Sequence, residues 1–125
     1  MPSQLTPQLE VDAQITFSQI NPEFMSNLRR FNPFGPGNQK PVFRTVSVAD
    51  YGTSKLVGKH LEHIKLEMVD DSTGRVMNGI VFNMAHTFPH IHAGNRFDIC
   101  YTIEDNKHST NGAIQLLVID IKAHQ

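Results

Sequence analysis

From residue 41 onward, apolar positions recur with period two, interrupted at intervals by Gly, Asp, Asn and Ser. Such alternation marks half-buried strands, because successive strand side chains point to opposite faces of a sheet. Five strands are predicted, at 42–51, 59–69, 75–83, 96–104 and 113–122. Of the links between them, 70–74 (Asp-Asp-Ser-Thr-Gly) reads as a tight turn, and only 84–95 is long and apolar enough to hold a helical turn. In the second strand, Leu61 lies on the opposite phase from Ile64, Leu66 and Met68, so a β-bulge is expected near Glu62 and His63. The last strand is apolar on both phases from Ile114 to Ile119, which predicts barrel interior on one side and the N-terminal helix on the other. Five strands, one bulged, with the longest link between the third and fourth, fit a mainly β, five-stranded OB-type barrel. A β-sandwich is the competing architecture.

The first forty residues read differently. Asn21-Pro22-Glu23 has the form of an N-cap, a proline at the first helical position and an acidic first turn, which predicts a short helix over 22–30. Its apolar positions Phe24, Met25, Leu28 and Phe31 fall at helical spacing, and Arg29 and Arg30 sit near the end where cations suit the helix dipole. Upstream, Val11, Ala13, Ile15 and Phe17 alternate like a short extended segment. Downstream, Asn32-Pro33-Phe34-Gly35-Pro36-Gly37-Asn38 continues neither helix nor strand. The expected organisation is a helical connector with a Pro/Gly loop over 1–40, followed by the barrel over 41–125.

Length and composition confine this picture to one modest domain. The 125 residues are 39% hydrophobic and 18% charged, too apolar for a disordered chain, and no run approaches the roughly 18 apolar residues of a membrane span. The N-terminus lacks the basic start and apolar run of a secretory signal, so a cytoplasmic protein is expected. A single cysteine, Cys100, excludes an intramolecular disulfide framework. Its apolar neighbours predict a small buried hydrophobe rather than a nucleophile. Eleven Lys plus Arg against twelve Asp plus Glu give a net charge of -1, so any nucleic-acid role must rest on local arrangement.

Three constellations are candidates for chemistry. His86, His90 and His92 would make a three-nitrogen metal site if the last two shared a strand face, with His108 as a fourth group; the alternative is a surface link that contains histidines by composition. The acid pairs Asp70-Asp71 and Glu104-Asp105 fall at strand ends, where they serve solubility and turn geometry. Binding of single strands needs stacking platforms and scattered cations. Tyr51, Phe82 and Tyr101 are the candidate platforms, and Arg44, Lys55, Lys59, His60, Lys65, Arg75 and Arg96 the candidate phosphate contacts.

The order of the pieces also carries a resemblance. Leu9-Glu10-Val11-Asp12-Ala13, then Ile20-Asn21-Pro22-Glu23, then Pro33-Phe34-Gly35-Pro36-Gly37-Asn38 with Pro41-Val42-Phe43, resemble the C-terminal part of the bacterial RecJ family of single-strand-specific DNA exonucleases. Gly58-Lys59-His60-Leu61, Ile80-Val81-Phe82-Asn83-Met84, the run from Phe97 to Glu104 and Leu116-Leu117-Val118-Ile119-Asp120 resemble that family's OB-fold domain, so the likeness covers nearly the whole chain. The resemblance implies that the chain is a fragment with no catalytic or metal-ligating residues of its own. The Mg or Mn ions and the 5′ to 3′ hydrolysis used in repair and recombination would belong to catalytic domains elsewhere in the parent. It implies a barrel that guides single-stranded DNA, with Lys59, His60, Phe82 and Asn83 at positions matching the family's motifs; Arg44 and Arg96 are added by strand geometry. The alternative is an interaction or docking module, for which near-neutral charge speaks. A small metal-binding protein built on the histidines is the third reading.

Overall fold

A computed structural model describes residues 10–30, 39–105 and 114–125. Among the described residues seven strands form one sheet: β1 (Ala13–Gln14), β2 (Phe43–Asp50), β3 (Lys55–Val57), β4 (His63–Asp70), β5 (Val76–Val81), β6 (Phe97–Asp105) and β7 (Ile114–Ala123). Five of them close a barrel. Strand β2 pairs antiparallel with β4 and β6, β4 with β5 and β6 with β7, and the parallel β5–β7 pairing completes the ring. This is the OB-type barrel that the alternation predicts. The parallel seam is tight at Gly79, where an added Cβ would sit 3.0 Å from the Leu116 carbonyl oxygen.

The second predicted strand, 59–69, begins later than expected, at His63, and an additional short strand precedes it in the predicted link. Residues 55–57 form β3, which pairs with the start of β4, Val57 opposite His63 and Lys55 opposite Lys65. The turn over 58–62 lies between them, with Gly58 at φ +102° and Leu61 at φ +55°. Leu61 is thus out of phase because it sits in a turn, not in a bulge. The register shifts occur elsewhere, between Thr45 and Val48 of β2 and between Cys100 and Tyr101 of β6. Opposite the latter, Ile119 is passed over and remains 42% exposed, so the two apolar phases of β7 reflect a change of register and the helix does not cover Ile119.

Helix α1 (Pro22–Arg29) begins as its sequence dictates: Asn21 Oδ1 accepts the Phe24 N–H at 2.8 Å, Pro22 opens the first turn and Glu23 meets the positive end of the dipole. Phe24 packs on Phe43 of β2, with ring centroids 5.5 Å apart, and Arg29 is ion-paired to Asp105 of β6. Residues before α1, and Met25 within it, belong to the barrel's own core. Ile15, Phe17, Ile20 and Met25 are buried in the same cluster as Ile64 and Phe97. On the link between β5 and β6, α2 (Phe88–His92) follows a 3₁₀ turn and buries Ile91.

Tyr101 lies wholly inside, which removes it as a stacking platform. Burial pushes its phenol well above the ordinary tyrosine range. Its hydroxyl lies 2.7 Å from Thr45 Oγ1, which donates its one proton to the Ile15 carbonyl at 2.8 Å; Tyr101 is therefore the donor to Thr45. Thr45→Val orphans both the phenol proton and the Ile15 carbonyl and is expected to cost about 2–3 kcal/mol, whereas Tyr101→Phe costs about 1 kcal/mol. Urea denaturation of the two variants checks the order.

Candidate nucleic-acid interface

In OB barrels, the face of the second and third barrel strands and the loop before it take oligonucleotides. Here that face is the outer side of β3, β4 and β5, with the turn 58–62 at one end. Ile64, Leu66 and Met68 point inward, so alternation sends His63, Lys65 and Glu67 outward. Lys65 stands between Lys55 on β3 and Ile80 on β5. Like charges directly opposite one another destabilise a sheet. No ion pair among the described residues relieves Lys55, Lys59 or Lys65. Lys55, Lys59 and Lys65 thus place three cations on the strands and turn, outside the ion pairs seen among the described residues.

Aromatic rings flank the row. Phe82, just past β5, is 50% exposed, and its ring meets His63 edge-on with centroids 4.9 Å apart and an interplanar angle of 79°. Tyr51 is 60% exposed and donates its N–H to the Glu67 carbonyl at 2.8 Å. From His63 to Glu67 the strand advances about 13 Å, so the two platforms stand on either side of the lysine pair.

The structure brings four of the sequence-predicted residues to one place. Lys59 and His60 lie on the turn, exposed, and Phe82 and Asn83 close the end of β5 against it. Arg44 and Arg96 are not there. Arg44 is exposed on β2 opposite Cys100, and Arg96 pairs with Asp71 at 3.0 Å beyond the far end of β4. Sequence reasoning missed the residue that joins the turn to β5: His63 Nδ1 accepts the Asn83 N–H at 3.0 Å. The out-of-phase Leu61 was the available signal of a turn there.

The remaining candidates have structural employment. Asp70 is buried rather than at a turn tip; its Oδ2 accepts the Phe17 N–H and its Oδ1 the Ser72 N–H and hydroxyl. Glu104 is paired with Lys40. Cys100 alternates with inward Ile99 and Tyr101 and so faces outward, half-covered, where burial raises its thiol pKa against the lowering effect of Arg44. His90 and His92 lie on α2, not on a strand, and two residues along a helix point apart. His90 Nε2 instead lies 3.3 Å from the Arg96 carbonyl, and His92 stacks on Phe88. Among the described residues no group of three or more His, Cys, Asp or Glu is placed to hold a metal ion. His108 and the Pro33-Phe34-Gly35-Pro36-Gly37-Asn38 motif lie outside the described residues. No helix among the described residues is long and apolar enough to cross a membrane.

Residues 11–120 fit the family model described as the RecJ OB domain. No curated protein matches the chain.

Proposed function

The chain belongs to the RecJ OB domain family, and from that premise we propose that it binds and guides single-stranded DNA for a RecJ-like 5′ to 3′ exonuclease acting in repair and recombination in the bacterial cytoplasm. The observation that carries the reading is the facing Lys55–Lys65 pair, outside the ion pairs of the described residues, between two exposed rings. Bases stack on Phe82 and Tyr51, while Lys55, Lys59, Lys65 and His60 meet phosphates. Every base has a π-face, so such binding is tolerant of sequence. Asn83 lies beside the Phe82 platform. Hydrolysis, with its divalent Mg or Mn, belongs in this reading to the parent's catalytic domains, and the residues of this chain hold and orient the strand.

Fluorescence anisotropy of a labelled single-stranded oligonucleotide, at low and moderate salt with duplex as control, tests the reading. Salt-sensitive binding that prefers the single strand is expected. Absence of binding even at low salt would make this face a docking surface for the catalytic domains, the role that the net charge of -1 favours.

A further inference from the structure

We infer that His63 is a positioning residue that joins the turn 58–62 to the end of β5 and thereby sets the Phe82 platform toward a bound base. The inference rests on the single-strand-binding reading above and adds a residue that itself need touch neither base nor phosphate.

The imidazole is engaged on three sides. Its Nδ1 accepts the Asn83 N–H at 3.0 Å, and since a backbone N–H can only donate, that nitrogen carries no proton and the ring proton resides on Nε2. Nε2 lies 3.6 Å from Glu62 Oε1, the oxygen that also accepts the His60 N–H at 3.3 Å. The ring edge meets Phe82. One side chain thus touches both halves of the candidate site, the turn that carries Lys59 and His60 and the strand end that carries Phe82 and Asn83.

Local backbone geometry is shaped around this contact. Asn83 adopts φ +59°, a left-handed conformation that asparagine tolerates better than most residues, and this follows directly on the exposed Phe82. On the other side, a Cβ on Gly58 would come within 2.0 Å of Glu62 Oε1 and 2.9 Å of His63 Cδ2. Gly58 itself sits at φ +102°, a conformation that suits glycine, and the turn closes on the imidazole there.

Three substitutions separate acceptor, ring and fold. His63→Phe keeps a ring and loses the acceptor; His63→Asn places an amide oxygen near the Nδ1 position; His63→Gln reaches toward the Nε2 position and leaves Asn83 without an acceptor, with no added apolar ring should the Phe variant fail to fold. Each is compared with the unaltered protein and Phe82→Ala for binding of a single strand carrying one 2-aminopurine, across a salt series, and for exchange of the Asn83 amide. His63→Phe and His63→Gln are expected to weaken binding about fivefold, the equivalent of one hydrogen bond, to shrink the 2-aminopurine fluorescence change and to speed Asn83 exchange. The salt slope should persist, because the lysines remain. His63→Asn should bind within about twofold of the unaltered protein. Unchanged binding by both acceptor-lacking variants while Phe82→Ala weakens it overturns this inference alone, as does a His63→Asn variant as weak as His63→Phe. Failure of the unaltered protein to bind overturns the underlying reading and this inference with it.

Discussion

Phe17→Ala is expected to remove about 3–5 kcal/mol of folding stability, the range for truncating a buried phenylalanine. The ring has no exposed surface, meets Tyr101 edge-on at 6.5 Å, and follows Ile15, whose N–H donates to the Arg44 carbonyl of β2. The Phe17 N–H is held by the buried Asp70 carboxylate at 2.8 Å, so movement into the vacated space would break a hydrogen bond inside the protein. Domains of this size are stable by only about 5–15 kcal/mol, so the loss should take up a large part of the total. Urea denaturation should show a large fall in midpoint with little change in slope. A loss below about 1 kcal/mol would mean that residues 12–20 form an appendage to the barrel. By the same argument the piece from residue 41 onward, without Ile15, Phe17, Ile20 and Met25, should not unfold cooperatively.

The sequence shows its strands because the barrel interior enforces alternation: Ile64, Leu66 and Met68 have to point inward together. The helix at Pro22–Arg29 was legible for a local reason, a capping asparagine followed by proline. What was not legible depends on distant partners. Phe17 reads as part of a loose extended segment until Asp70, fifty-three residues away, is placed against its N–H. Tyr101 and Phe82 are both aromatic residues at strand positions, and only the phase of each strand against the core makes one a buried donor and the other an exposed platform. Leu61 misleads because leucine seldom adopts positive φ, so a break in phase at that position is more naturally read as a bulge. Arg96 reads as available for phosphate in the sequence, which cannot show that Asp71 already holds it. The site was therefore legible as residue types, while its assembly depended on a hairpin whose first strand, Lys55–Val57, lies in a stretch that reads as a link.

Replacing Lys55, Lys59 and Lys65 together with alanine is expected to change DNA binding more than any other substitution considered for this face. Each phosphate contact on a single strand contributes about 0.7 to the slope of log affinity against log salt, so three contribute about 2. Between 50 and 200 mM salt that corresponds to roughly a 20-fold change in affinity that the triple variant should no longer show. Arg96→Ala is the control, since its guanidinium is already paired with Asp71 beyond the far end of β4, and it should leave the slope unchanged. Folding stability should move in the opposite direction. Lys55 and Lys65 face each other across β3 and β4 with no ion pair among the described residues, so removing either should stabilise the fold by about 0.2–1 kcal/mol. An anion on this face would neutralise the same repulsion, so single-stranded DNA should raise the melting temperature of the unaltered protein more than that of the triple variant. Equal salt slopes in the two proteins, or a loss of stability on removing Lys65, would show that the lysine pair is held for packing by its aliphatic stems and that the strand binds elsewhere.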